Sequence, residues 1–320
     1  MSTVLITGGH SGLGFEASKQ LASMGSDLVI AGRDLGRIGD AASELRSVFG
    51  VKVHALQMDV SSLDSVRRAA AICEGKIRNG EMGRLQAVIC NAGGSFPGEV
   101  AFSADGYEIT FATNYLGHFL LVQLLLESLT DEGRIVFVAS GTHDPDTSDG
   151  KLVGKALTAD VSALARLGRG GATSSTFGQR YATSKLCMIL CAYELDRRLR
   201  RAGRSTSSIA YDPGSIPETG LMRGLPAPLQ WLSKTSAMRL ASKMMGITQG
   251  RLDFSGASMA RIAIDPAYAH VSGKYLQSSN GKLSVTKSSV ASYNEASAAK
   301  LWDDSQRLAD SQGSEGKTPV

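Results

Sequence analysis

The chain has 320 residues, of which 42% are hydrophobic and 20% charged, the make-up of a globular protein with a sizeable buried core. Its formal net charge is only +4, with acidic and basic residues interspersed, so nucleic acid is not an expected partner; an anionic cofactor would need just a local basic cluster. Cys73, Cys90, Cys187 and Cys191 form no C-x-x-C pair, so neither a metal site nor a disulfide framework is expected, and buried free thiols in a reducing compartment are the plainer reading. No apolar run is read as reaching the ~18 residues of a membrane span. With a first strand starting by Thr3 or Val4, no leader is expected and the protein is read as cytoplasmic.

Residues 3–6 are a short apolar strand, followed by Thr7-Gly8-Gly9-His10-Ser11-Gly12-Leu13-Gly14 and then by helical periodicity over 15–24. Strand, glycine loop and helix together make a phosphate cradle: the glycines allow close backbone approach, and the helix N-terminus offers unpaired N–H groups to a pyrophosphate. A second strand, 27–32, ends at Arg33-Asp34. In dinucleotide folds an acidic residue there accepts from a ribose hydroxyl, whereas an arginine holds a 2′-phosphate, so Arg33 favours NADP(H). A helix over 35–49 leads to a third strand, 52–58, closed by Asp59-Val60. Asp59 is read either as an acceptor for the adenine amino group or as a cap for the next helix, 61–77. The fourth strand, 85–90, ends in Asn91-Ala92-Gly93-Gly94, small residues that let a cofactor approach.

A strongly apolar helix is predicted over 108–129, with Asn114 inside it; a buried asparagine is costly unless hydrogen-bonded, so a partner is expected. His118, on the same helix, is read either as catalytic or, in preference, as a satisfied helix histidine near an interface. The fifth strand, 133–140, puts Ser140 at its carboxyl end, where ligands of open α/β sheets bind. A long polar insertion, 141–179, follows, with one helix predicted over 159–167. Next comes Tyr181-Ala182-Thr183-Ser184-Lys185 at the head of an apolar helix. The four-residue spacing puts Tyr181 and Lys185 on one helical face. An ordinary tyrosine, with a pKa near ~10, is a poor acid at neutral pH; a lysine ammonium and an oxidised nicotinamide beside it would stabilise the phenolate and lower that value. The sixth strand, 207–212, ends at Pro213-Gly214. The methionine-rich stretch 215–248 is either a subdomain surface or an apolar lid. A helix over 255–264, a last strand over 273–276 and a terminal helix over 294–308 complete a single domain, 1–308, with 309–320 expected as a disordered tail. Alternating strands and helices predict one Rossmann-type, doubly wound parallel sheet of the α/β class.

Taken together, Thr7-Gly8-x-x-x-Gly12-x-Gly14, Asp59, Asn91-Ala92-Gly93, Asn114, Ser140, Tyr181-x-x-x-Lys185 and Pro213-Gly214 resemble the short-chain dehydrogenase/reductase family. The resemblance implies that Tyr181 is the general acid/base on the substrate oxygen and that Ser140 orients that oxygen. It implies that Lys185 binds the nicotinamide ribose and lowers the Tyr181 pKa, and that Asn114 holds a water that relays protons to Lys185. The cofactor-binding set it implies is Gly8, His10, Ser11, Gly12, Leu13, Gly14, Arg33, Asp59, Val60, Asn91, Ala92, Gly93, Tyr181, Lys185, Pro213, Gly214, Ile216 and Thr219.

Within the family, Ala31-Gly32-Arg33-Asp34, the Asn114 to Leu121 stretch, Ser184-Lys185-Leu186-Cys187 and the run from Pro213 to Leu221 resemble the retinol dehydrogenase and light-dependent protochlorophyllide reductase branch. That branch favours NADPH and large hydrophobic substrates, and in it the Cys187 position is associated with pigment reduction. This chain departs from the pattern in lacking Arg or Lys beside Gly12, which leaves the NADP preference largely to Arg33, and in having Glu218 where a threonine often contacts the nicotinamide carboxamide. The insertion 141–179 also differs from the pigment reductase's. The leading expectation is an NADPH-dependent carbonyl reductase, or the reverse alcohol dehydrogenase, on an apolar small molecule. The alternative is reduction of a C=C bond in a conjugated or tetrapyrrole-like substrate; a non-enzymatic NADP-binding sensor fits poorly with a complete set of catalytic residues. The helices at 108–129 and 181–199 would serve a homodimer's four-helix contact, as the family implies, or be covered by the chain's own tail.

Overall fold

A computed structural model describes residues 2–167, 175–216 and 244–314. Eight strands form one sheet in the order β3-β2-β1-β4-β5-β6-β7-β8. The strands are β1 (Thr3–Thr7), β2 (Asp27–Gly32), β3 (Val53–Gln57), β4 (Leu85–Cys90), β5 (Leu129–Val138), β6 (Ser207–Asp212), β7 (Lys274–Ser279) and β8 (Lys282–Thr286). All neighbours pair in parallel except β7 and β8. The doubly wound α/β sheet expected from the alternation of elements is therefore present. Helices cover both faces, which is why β1, β2 and β4 read as nearly continuous apolar runs instead of alternating.

The helices are α1 (Gly12–Ser23), α2 (Leu35–Phe49), α3 (Leu63–Arg78), α4 (Ile109–Phe111), α5 (Gly117–Leu125), α6 (Ser148–Val153), α7 (Val161–Ala165), α8 (Phe177–Arg201), α9 (Leu252–Ile264) and α10 (Glu295–Ser314). Two cores result. One face of the sheet packs on α1, α2 and α9 through residues such as Ile6, Ile30, Val138, Tyr211 and Leu276. The other packs on α3, α5, α8 and α10 through Leu5, Val88, Phe137, Ala210 and Tyr275.

Five expectations need correction. The single helix predicted over 108–129 is interrupted: a π-helical turn, Ala112–Leu116, separates α4 from α5, and a 3₁₀ turn, Leu126–Ser128, ends the run. Such turns add a residue to the helical repeat and re-aim the side chains they carry, here Asn114. The stretch Ile109–Ser128 is in fact long and apolar enough to cross a membrane by length and composition, but 72% of its apolar window is buried in the fold. The insertion holds three short elements: a 3₁₀ turn at Gly141–His143, α6 and α7. Strand β8 was not expected. Its signal was Asn280-Gly281, whose positive φ angles of 50° and 75° suit the tight hairpin turn that reverses the chain after β7.

The fifth correction concerns the C-terminus. Helix α10 runs past residue 308 to Ser314, and Ala309, expected in a disordered tail, is fully buried. Trp302 packs edge-on against Phe119, with ring centroids 5.0 Å apart, and the Arg198 guanidinium sits 4.9 Å over the Trp302 ring. Tyr115 and Ser305 share a hydrogen bond of 2.8 Å between hydroxyls. The chain's own C-terminal helix thus covers the α5 and α8 surface that a four-helix dimer contact would use. The methionine-rich segment expected as a lid lies mostly outside the described residues.

Candidate active site

The carboxyl ends of β1, β4, β5 and β6 lie side by side, and the strand order reverses between β1 and β4, the position at which open α/β sheets bind ligands. The glycine loop leaves β1 here. Gly8 has φ of 69°, and a Cβ on Gly14 would come 2.3 Å from the Gly8 carbonyl oxygen, so only glycine lets the helix start this close to the turn. Ser11, the N-cap of α1, makes no side-chain capping bond, whereas Asp34, Ser62 and Thr176 cap α2, α3 and α8. The first-turn N–H groups of α1 are thus not taken up by a side-chain cap, and the loop fits a pyrophosphate.

At the end of β2, Arg33 is exposed. Asp34 does not compete with it: its carboxylate accepts from the Arg37 N–H at 3.1 Å, capping α2. His10 packs against Gly32, and burial, then the nearby Arg37 cation, lowers its pKa, with Asp34 opposing. The His10 Nδ1 is buried without a hydrogen-bond partner among the described residues. Arg37 is a second cation at this corner that the sequence reading missed; its signal was an arginine one helical turn after Arg33. The Asp59 carboxylate accepts from the N–H and hydroxyl of Ser61, at 2.9 and 2.7 Å, while the cap of α3 is Ser62. The cap reading of Asp59 is therefore not met, since Ser62 caps α3. Val60 is buried beside it.

The catalytic candidates converge across β5 and α8. Ser140 lies just beyond the end of β5, where its hydroxyl accepts from the Thr142 hydroxyl at 3.1 Å and is close enough to the Tyr181 phenol to favour its ionised form. Lys185 Nζ is 5.6 Å from the centroid of the Tyr181 ring and donates to the Val138 carbonyl at 2.8 Å. Burial pushes the Tyr181 phenol well above its ordinary value, and only the Ser140 hydrogen bond opposes this. Burial lowers Lys185 to about 8, against the opposing effect of Asp212. The expected lowering of Tyr181 by Lys185 is not seen in the folded chain, where desolvation of the phenolate dominates. Pro213 and Gly214 follow β6 at the same edge, and Ile216 is buried beside them. Thr219 lies outside the described residues.

Asn114 has the partners its burial demands. Its amide donates to the Gly94 carbonyl at 3.0 Å and to the Ser184 hydroxyl at 2.9 Å, and its oxygen accepts from the Gly94 N–H at 2.9 Å. Both amide donors are committed, so the side chain clamps the loop after β4 to α8. Its backbone carbonyl accepts from His118 Nδ1 at 3.2 Å. The other ring nitrogen, Nε2, then accepts from the Thr7 hydroxyl at 2.9 Å. The Thr7 oxygen in turn accepts the backbone N–H groups of Asn91 and Ala92, at 2.9 and 2.8 Å. One neutral histidine therefore ties together the ends of β1 and β4 and the π turn. Sequence reading also missed Arg180, which is buried 3.3 Å from Glu108 and donates to the Phe96 carbonyl at 3.2 Å, holding the loop beside Tyr181.

Residues 2–146 match the short chain dehydrogenase family model. Over 324 residues the chain is 34% identical to the protochlorophyllide reductase of Chlamydomonas reinhardtii, covering 96% of this chain and 77% of that one. It is 33% identical over 321 residues to protochlorophyllide reductase A of Oryza sativa subsp. japonica, covering 95% and 80%. Among solved structures, an uncharacterized protein from Mycobacterium Paratuberculosis aligns over 97% of this chain and 94% of its own, with TM-score 0.70 and 26% identity. A short chain dehydrogenase from Burkholderia cenocepacia J2315 in complex with NADP aligns over 88% and 97%, with TM-score 0.64 and 22% identity; at that identity it attests the fold.

Burial lowers His118 to about 4 in the folded chain. The unfolded chain binds this proton at a pKa near ~6.5, so stability is full above that value and is lost as pH falls toward 4, by about 3 kcal/mol in total. Denaturant unfolding of the wild type and His118→Gln between pH 7 and 4 checks this: the variant is expected to lack that part of the acid loss.

Proposed function

The chain belongs to the short-chain dehydrogenase/reductase family, and on that premise we propose that it is an NADP(H)-dependent oxidoreductase reducing the carbonyl, or oxidising the matching alcohol, of a fairly apolar small molecule. The observation that carries this reading is the convergence of Ser140, Tyr181 and Lys185 at the end of β5. When bound, the nicotinamide supplies or accepts the hydride. The Tyr181 phenol gives its proton to the substrate oxygen, and Ser140 donates to the same oxygen as negative charge develops there. The Lys185 ammonium stabilises the phenolate left behind. The glycine loop and α1 hold the pyrophosphate, and Arg33 with Arg37 holds the 2′-phosphate, with His10 beside them.

An apolar substrate is supported by the surface around α6. This helix packs on the start of α8, and Thr248 is tied to it by a 2.8 Å hydrogen bond to the Asp149 carboxylate. Leu152, Phe177, Met244 and Met245, on these three segments, are 68%, 45%, 82% and 54% exposed. Exposed large apolar side chains gathered in this way suit an apolar ligand.

A second reading, reduction of a C=C bond, draws support from the similarity to protochlorophyllide reductases over nearly the whole chain. Cys187 gives it none: the residue is fully buried in the core and burial pushes its thiol far up, the setting of an inert packing residue.

Two experiments test the proposal. NADPH consumption against aldehydes, ketones and conjugated enones is expected to give alcohols, with Tyr181→Phe at least about 100-fold slower. Saturated ketones from the enones, or full activity in Tyr181→Phe, would overturn it. For the cofactor, replacing both Arg33 and Arg37 by Ala is expected to weaken NADPH binding about 10- to 100-fold and leave NADH binding unchanged, as measured by quenching of protein fluorescence. Equal losses for both cofactors would remove the arginines from the 2′-phosphate site.

A further inference from the structure

Behind the Ser140 turn lies a carboxylate that the proposed chemistry does not use. Asp212, the last residue of β6, is 1% exposed. Tyr211 pairs with Val138 and packs into the core on the α1 and α9 side. Side chains alternate along a strand, so Asp212 faces the other side, toward α8. Lys185 comes from α8 to the neighbouring strand at the same level, donating to the Val138 carbonyl.

Three neutral donors hold Asp212 in place. Oδ2 accepts from the Tyr275 phenol and the Gln277 amide, each at 2.8 Å, and Oδ1 accepts from the Gly214 N–H at 2.9 Å. A Cβ on Gly141 would come 3.2 Å from Asp212 Oδ2, so glycine after Ser140 lets the turn lie directly against the carboxylate. Among the described residues no arginine or lysine forms an ion pair with Asp212. The titratable groups that sense it are Tyr181 and Lys185 on α8, His143 in the turn after β5, Asp149 on α6, Tyr275 on β7 and Tyr211 on its own strand. Lys185 is the one cation in this set when His143 is neutral. His143 Nε2 accepts from the Ser289 N–H at 2.9 Å and its Nδ1 faces the Ser140 carbonyl at 2.7 Å, an arrangement that requires the neutral ring.

We propose that Asp212 is a positioning residue for proton transfer, its buried negative charge acting through Lys185 and Tyr181 to keep the ammonium charged and the phenol protonated until the substrate oxygen takes the proton. This rests on the reading of Tyr181 and Lys185 as the proton-transfer pair. It adds a bias toward the proton-donating, reductive state: a buried carboxylate on the α8 side of the sheet opposes both premature phenolate formation and loss of the lysine charge.

The test is a pH titration of the cofactor-free, full-length protein carrying ¹³C,¹⁵N-labelled lysine. It is read by NMR, with Lys185→Arg used to assign the signal. No substrate enters, so its outcome is separate from that of the activity panel. Asp212→Asn is expected to lower the Lys185 midpoint by about one pH unit. In turnover, the alkaline limb should move to lower pH by the same amount. If Asp212→Asn does not fold, Asp212→Ser, which also removes the charge, is expected to shift the midpoint in the same direction. A folded variant whose Lys185 midpoint is unchanged or raised would overturn the proposal.

Discussion

The site depends on one costly arrangement, a lysine ammonium carried into the core at the carboxyl end of β5. Lys185 is 5% exposed and its Nζ is held by the Val138 carbonyl. Burying a charge without compensation is expensive, and here the compensation is built from the fold. The end of a parallel strand supplies a carbonyl, the neighbouring strand supplies the Asp212 carboxylate, and α8 fixes the ammonium one helical turn from Tyr181. Burial still brings the lysine down to about 8, so it is charged at neutral pH but within reach of deprotonation. A charge placed in this way stabilises a phenolate only when one forms, which is the condition for its being useful in a transition state.

Around this pair the neutral polar groups do the holding. Thr7, Asn91, Asn114 and His118 come from three separate segments, yet each finds a partner in the others, so a buried network is satisfied with no cation of its own. The π turn carrying Asn114 is part of this: it aims the amide at Gly94 and Ser184 while the helix continues into α5. Helix α10 closes the outer side of the same region through Trp302 and Ser305.

Much of this was legible from local signals. The strand–glycine loop–helix context predicted the tight turn that starts α1, the Tyr181 and Lys185 spacing predicted their shared face on α8, and the polar Asn114 inside an apolar helix announced that it had a partner. What was not legible depended on neighbours distant in the chain. Asp212 reads in sequence only as a strand end before Pro213; its burial against Tyr275 and Gln277 follows from strand order. Arg37 looks like a surface helix residue until α2 is placed beside His10. The covering role of α10 was hidden because its apolar stripe of Ala298, Leu301, Trp302 and Ala309 is sparse among charged residues. The π turn leaves no periodicity to read in so uniformly apolar a stretch, and β8 was passed over although Asn280-Gly281 marks its hairpin.

The central claim is that hydride and proton are delivered across a C=O bond, with Tyr181 serving the oxygen. The most direct measurement uses NADPH deuterated at the transferring position with an α,β-unsaturated ketone or aldehyde, and locates the label in the product by NMR. The account predicts deuterium on the carbinol carbon of an allylic alcohol. Deuterium on the β-carbon of a saturated carbonyl product would contradict it and assign the site to C=C reduction.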